Sequence, residues 1–134
     1  MNTTSSILLV EDHKVFATAL LRVLNTNKDL NVVAVAETAE NALERLRDLK
    51  VDLVLADISL PKMSGLDLVE AVCERYPGLP CAVISGHNSP QFVRSALNAG
   101  ARGYMVKENP VGILEGIRRV LDGELYISKE VGSI

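Results

Sequence analysis

The sequence predicts an α/β protein of (βα)5 type, a doubly wound, five-stranded parallel sheet with helices on both faces. Three observations carry this expectation. Five short apolar runs alternate with five segments of helical periodicity. The runs are apolar on both faces, as parallel strands covered on each side must be. Turn and cap residues fall between the two kinds of segment.

The strands are expected at residues 7–10, 32–36, 53–56, 81–85 and 103–106. After the first, Val15, Phe16, Ala19, Leu20, Val23 and Leu24 recur every three to four residues, the spacing of one helix face. Ala39, Ala42, Leu43 and Leu46 mark the second helix, and Leu66, Val69, Val72 and Cys73 the third. Phe92, Val93, Ala96 and Leu97 mark the fourth. Ile113, Leu114, Ile117, Val120 and Leu121 mark the fifth. Pro61 ends the segment after the third strand, and Pro77-Gly78 ends the third helix. Ser89 is the expected N-cap of the fourth helix with Pro90 at its first position, and Asn109 with Pro110 repeats the pattern. Gly100 closes the fourth helix with a positive φ. Crossovers between parallel strands are right-handed, and ligands of such sheets bind beyond the carboxyl ends of the strands.

The 134 residues, 48% hydrophobic and 23% charged, fit one packed domain. It is placed at residues 1–124, with a core of about 6–122, and residues 125–134 are read as a tail. A net charge of −3 speaks against a broad nucleic-acid-binding face, which needs clustered cations. The adjacent Arg118 and Arg119 make no such stripe. Cys73 and Cys81 match no metal or redox spacing and are expected as buried free thiols, which suits a reducing cytoplasm. The polar start resembles no signal peptide, and no apolar run approaches the roughly 20 residues of a membrane helix. A soluble, cytoplasmic protein without membrane partners is expected.

The carboxyl ends of the strands carry a distinctive set. The first ends in Glu11-Asp12, the third in Asp57, the fourth in Ser85-Gly86 and the fifth in Lys107. Singly, Asp12 reads as a helix cap, Asp57 as a turn residue and Lys107 as a surface lysine. Together they converge on one sheet edge. Two like charges about 4 Å apart repel by roughly 4 kcal/mol at an effective dielectric near 20. A cation relieves that cost, and oxygen ligands that leave room for water suit Mg²⁺.

These residues lie in four runs: Ile7-Leu8-Leu9-Val10-Glu11-Asp12-His13; Asp57-Ile58-Ser59-Leu60-Pro61-Lys62-Met63-Ser64-Gly65-Leu66; Val83-Ile84-Ser85-Gly86; and Gly100-Ala101-Arg102-Gly103-Tyr104-Met105-Val106-Lys107. In this order they resemble a response-regulator receiver domain of two-component signalling, over about residues 6–122. The resemblance implies the flavodoxin-like strand order 2-1-3-4-5. It implies that Asp57 accepts a phosphoryl group from a phosphohistidine on a sensor histidine kinase. Glu11, Asp12, Asp57 and the backbone carbonyl of Ser59 would hold Mg²⁺, and Lys107 would contact the phosphoryl group. Ser85 and Tyr104 resemble the family's switch pair, the tyrosine turning inward as the serine hydroxyl moves to the acyl phosphate. The alternatives are a strand-end hydroxyl and a half-buried aromatic. Gly86 leaves Asp57 open to a donor. Ser59 and His87 stand where side chains tune the lifetime of the acyl phosphate, against the alternative of a solvated loop. His13 opens the first helix and is expected to cap or pack there.

Two residues depart from the family pattern. Glu11 stands where aspartate is commoner, its longer side chain reaching the metal directly or through water. Glu108 follows Lys107 where proline is frequent, which leaves a cis bond there open at higher cost. The segment from Asp57 onward, with Asp122-Gly123-Glu124-Leu125-Tyr126-Ile127-Ser128 behind the last helix, looks most like receivers joined to a LuxR/NarL-type helix-turn-helix. The implied function is transcription control through an output domain outside these 134 residues, whose linker would begin in the tail. A phosphorylation-dependent homodimer is expected, and DNA contact only through the output domain. The chain is expected not to be a turnover enzyme beyond Mg²⁺-dependent self-phosphorylation from phosphodonors and slow autodephosphorylation. The competing readings are a stand-alone receiver, a phosphorylation-independent interaction module of the same fold, and a haloacid-dehalogenase-type phosphohydrolase. The last fits poorly, because its two aspartates separated by one residue follow the first strand, where this chain has Glu11-Asp12-His13.

Overall fold

The computed structural model describes residues 4–132. Strands and helices alternate as β1 (Ser5–Val10), α1 (Lys14–Asn25), β2 (Leu30–Ala36), α2 (Ala39–Leu46), β3 (Leu53–Asp57), α3 (Gly65–Arg75), β4 (Cys81–Ser85), α4 (Pro90–Ala99), β5 (Gly103–Val106) and α5 (Pro110–Leu121). All strand pairings are parallel, and the order begins β2-β1-β3-β4-β5 as expected.

The uninterrupted apolar strands are explained by their two covers. Leu8, Val10, Val54, Ala56, Val83 and Val106 face α2, α3 and α4, where Ala42, Leu68 and Val93 meet them. The alternate residues Ile7, Leu9, Leu53, Leu55, Ile84 and Met105 face α1 and α5, packing on Leu20, Leu24, Ile113 and Ile117. This is the period of two of a pleated strand, buried on both sides. Helix starts follow their caps. Side-chain oxygens of Thr38, Ser64, Ser89 and Asn109 accept from backbone N–H groups of Asn41, Asp67, Gln91 and Gly112. Gly100 ends α4 at φ 112°. His13 occupies the N-cap of α1 but makes no side-chain capping bond.

Register places the site. Val10 pairs with Ala56, Asp57 with Ile84, and Ser85 with Val106. The residues at and just beyond these positions, 11, 57, 85 and 107, therefore stand in one row across neighbouring strands spaced about 4.8 Å apart.

The structure corrects the expected five-stranded sheet. A sixth strand, β6 (Tyr126–Ile127), pairs in parallel with β5 and closes that edge. Its two residues are too short to produce a periodic signal, and β5 offers a free row of backbone groups that they satisfy. Residues expected in a tail thus pack on the sheet. Ser128 N–H donates to the Tyr104 carbonyl (2.9 Å), Ser128 Oγ accepts from Val106 N–H (3.1 Å), and Val131 is buried. Cys81 is buried as expected, but Cys73 is exposed, at the far end of α3 beside Gly100. Val15, expected on the inner face of α1, is 76% exposed, and Ala17 takes the buried position. Among the described residues there is no cis peptide bond, so the bond after Lys107 is trans. Among them, too, no helix is long and apolar enough to cross a membrane.

Candidate functional site: an acidic cluster at the carboxyl ends of the strands

β1 delivers Glu11 and Asp12 to the sheet edge, and β3 delivers Asp57. Glu11 and Asp57 are 1% and 4% exposed, whereas Asp12 is open to solvent. One carboxylate oxygen from each of the three lies within 4.8 Å of the others. Asp57 is held at both oxygens: Oδ1 accepts the Ser59 backbone N–H (3.0 Å), and Oδ2 accepts from Lys107 Nζ (2.9 Å). The loop behind it is tight. Lys62 takes a left-handed φ of 59°, and Gly65 packs directly beneath the Asp57 carbonyl.

Lys107 is fixed by β5. Its backbone N–H donates to the Ser85 carbonyl (2.8 Å), which aims the side chain back across the row. Its ammonium stands 2.9 Å from both Asp57 Oδ2 and Glu11 Oε1, with the Phe16 ring centroid 4.7 Å away. Burial alone would lower the lysine pKa, but the Asp57 and Glu11 carboxylates beside the ammonium outweigh it and raise the pKa. Burial holds the Glu11 carboxyl above its usual range. The Asp57 charge adds to this, while Lys107 and the His13 N–H oppose it.

One cation against three carboxylates leaves the cluster negative. Glu11 Oε2 accepts the His13 N–H (3.0 Å). Glu11 Oε1 pairs with the Lys107 ammonium at 2.9 Å but outside hydrogen-bonding angles, which leaves this buried oxygen with lone-pair capacity for a further partner. Three carboxylate oxygens this close, one of them buried and held only by an ion pair, are the donor set of a hard, oxygen-seeking divalent cation. The residues present therefore fit a metal. Glu11, Asp12 and Asp57 supply side-chain oxygens at the expected place; Ser59 meets the cluster through its N–H, which donates to Asp57 Oδ1.

The second half of the site faces β4 and β5. Ser85 is fully buried, and its Oγ accepts the His87 backbone N–H (3.0 Å). Tyr104 is fully buried rather than half-buried, and its hydroxyl donates to the His87 carbonyl (2.8 Å). Burial raises the tyrosine pKa, with the Ser85 hydroxyl opposing. The ring therefore occupies the inward position. Gly86 is exposed, and a Cβ there would meet nothing within 4 Å, so the approach to Asp57 is open from that side. His87 is exposed but not free: its ring stacks on Phe92.

Sequence reasoning missed three participants. Phe16, read as a core position, lies one helical turn beyond Asp12, a spacing that could have placed it over the site. Phe92 was read as an apolar helix position. Ser128 had no signal, because its partner is a strand-end N–H set by tertiary structure.

The model of the response regulator receiver domain matches residues 7–118. The transcriptional regulatory protein DegU of Brevibacillus brevis is 32% identical over 126 residues, covering 93% of this chain and 53% of DegU. The transcriptional regulatory protein UhpA of Escherichia coli (strain K12) is 32% identical over 127 residues, covering 94% of this chain and 63% of UhpA. The chain thus spans between half and two thirds of the length of these relatives. The crystal structure of a LuxR-family two-component response regulator from Aurantimonas sp. SI85-9A1 superposes with a TM-score of 0.92 at 26% identity, covering 96% of this chain and 93% of that one. The family model covers most of the chain, and three carboxylates, a lysine and a buried serine–tyrosine pair share one sheet edge, so the chain belongs to the response-regulator receiver-domain family.

Proposed function

We propose that the domain accepts a phosphoryl group on Asp57 from the phosphohistidine of a sensor histidine kinase and changes conformation in response. The observation that carries this reading is the position of Lys107 Nζ, 2.9 Å from both Asp57 and Glu11, with Asp12 completing the acidic cluster. A carboxylate oxygen of Asp57 attacks phosphorus. The P–N bond breaks, its electron pair returns to the imidazole nitrogen, and an acyl phosphate is left on Asp57. Lys107, kept protonated by its carboxylate partners, stabilises charge on the equatorial oxygens. Bound Mg²⁺ supplies further positive charge at those oxygens, and Glu11, Asp12, Asp57 and the Ser59 carbonyl would hold it.

Ser85 Oγ accepts the His87 N–H, and its own proton, which faces the Tyr104 hydroxyl in this state, is the one that would turn to an acceptor in the pocket. Donation of that proton to the acyl phosphate favours the buried position of Tyr104, which couples the site to the α4–β5–α5 face. Ser59 and His87 flank the entrance and set access of hydrolytic water. The chemistry is a slow, self-limited transfer and hydrolysis at one carboxylate, and the chain is not a turnover enzyme. The likeness to DegU and UhpA, both transcriptional regulatory proteins, supports an output in transcription through a helix-turn-helix domain and phosphorylation-dependent pairing of two copies in the cytoplasm.

The test is intact-mass measurement after incubation with Mg²⁺ and acetyl phosphate. Wild type gains one phosphoryl group, and Asp57→Ala gains none. A wild-type chain that stays unmodified, also with a cognate kinase, returns the reading to a phosphorylation-independent interaction module.

A further inference from the structure

The loop between β4 and α4 carries an arrangement that phosphoryl transfer alone does not require. Three groups of His87 are tied in three directions. Its N–H donates to Ser85 Oγ (3.0 Å), its carbonyl accepts the Tyr104 hydroxyl (2.8 Å), and its imidazole stacks on Phe92 with ring centroids 4.3 Å apart and planes 10° from parallel. The main chain of one residue thus serves both members of the switch pair.

That main chain has little else to hold it. Gly86, His87 and Asn88 are exposed, and a glycine with open space around it leaves the peptide before His87 free to turn. The other end is firm. Ser89 caps α4 and Pro90 sits in its first turn, and the Phe92 N–H donates to the Ser89 carbonyl (3.1 Å). The Phe92 ring, although partly exposed, stands on this capped first turn, and the stack is a side-chain tether between the helix start and the loop.

We propose that His87 is a positioning residue: its imidazole, stacked on Phe92, latches the β4–α4 loop so that the His87 carbonyl holds Tyr104 buried and the His87 N–H holds Ser85 Oγ facing the acceptor site. The consequence for phosphoryl binding rests on the phosphoacceptor reading; the latch itself does not. Holding the inward tyrosine in advance means that less of the binding free energy is consumed in reaching that state. The role belongs to the flat ring, so an aromatic replacement keeps it and alanine loses it.

The experiment measures two things on wild type, His87→Ala, His87→Phe, Phe92→Ala and the double alanine variant. The first is affinity for beryllofluoride with Mg²⁺. The second is the Tyr104 ring signal by NMR of tyrosine-labelled protein without beryllofluoride. An aromatic stack has the strength to shift affinity roughly two- to tenfold. Beryllofluoride should bind that much more weakly to His87→Ala and to Phe92→Ala. The double variant should lose no more than either, and His87→Phe should stay within about twofold of wild type on the same scale. The Tyr104 signal should move toward that of an exposed ring in the alanine variants only. An unmoved Tyr104 signal in His87→Ala, unchanged or tighter beryllofluoride binding there, losses that multiply in the double variant, or failure of His87→Phe to rescue each overturns the latch. If wild type itself does not bind beryllofluoride, the phosphoacceptor reading fails, and the Tyr104 signal alone decides the latch.

Discussion

Replacing Gly65 with alanine tests whether Asp57 is positioned by close contact between two backbones. Gly65 opens α3, and its N–H donates to the Ile58 carbonyl (3.2 Å). A Cβ at this position would stand 2.1 Å from the Asp57 carbonyl oxygen and 2.8 Å from the Ile58 Cα. An ordinary carbon–oxygen contact is roughly 3.3 Å, so α3 and the end of β3 must part by about 1 Å. Both clashing atoms belong to the main chain, and no rotamer change relieves them. Overpacking of this kind costs about 3 kcal/mol, against which the better helix propensity of alanine returns at most about 1 kcal/mol. A net loss of about 2 kcal/mol lowers the urea midpoint by about 1 M. The displaced residue is Asp57, the proposed acceptor, and a misplacement of about 1 Å slows a positioned reaction by about 100-fold. Urea unfolding and the rate of phosphorylation by acetyl phosphate read the two effects. Gly86→Ala is the control for folding, since a Cβ there meets nothing and its φ is not in the left-handed region; its midpoint should match wild type. A Gly65→Ala variant with a wild-type midpoint and rate, or a Gly86→Ala variant equally destabilised, would refute the reasoning.

Ser128→Ala should cost about 1–3 kcal/mol, because it leaves the buried Val106 N–H without an acceptor, and amide exchange at Val106 should quicken; unchanged exchange there contradicts the role given to β6. Burial, with Cys73 adding to it, pushes the Cys81 thiol up to about 12, while Cys73 is exposed. A thiol reagent should therefore modify one cysteine in the native protein, Cys73, and both after denaturation; early labelling of Cys81 contradicts the packing of β4. Arg118 donates two hydrogen bonds to the Asp29 carboxylate, one from Nε and one from Nη2 (3.0 Å each), and holds its pKa below the usual range. A lowered carboxylate pKa contributes stability that is present above the unfolded value of about 4 and is lost as pH falls through the folded value. The stability gap between wild type and Arg118→Ala should thus be small at neutral pH, since the pair is half exposed, and should close in acid; a gap that widens in acid contradicts the pairing.

The alternation of strands and helices was legible because each strand is apolar on both faces and each helix on one, and because Ser89, Pro90, Gly100, Asn109 and Pro110 mark boundaries through local backbone chemistry. The site row was legible because every polar residue in it directly follows an apolar run, and parallel register does the rest. What escaped reading depends on tertiary partners. Tyr126 and Ile127 become a strand only because β5 leaves an edge unpaired. Val15 and Cys73 satisfy the helical spacing but fall at the margin of the buried stripe, where a rotation of one residue exposes them. The departure at Glu11 acquires a geometric meaning. Its longer side chain folds back so that one oxygen takes the N–H of His13 and the other reaches Lys107. Glu11 thus ties the acidic cluster to the lysine. Phe16 and His87 act through ring faces, which periodicity does not report.

The central claim is that Asp57 is the nucleophile that takes the phosphoryl group. An acyl phosphate is reduced by borohydride to an alcohol, which converts a phosphorylated aspartate into homoserine and leaves free carboxylates intact. Peptide mapping after phosphorylation and borohydride reduction should find homoserine at position 57 and unaltered Glu11, Asp12 and Asp52. Homoserine at any other aspartate, or no reduction product from a chain that carries phosphate, would contradict the account.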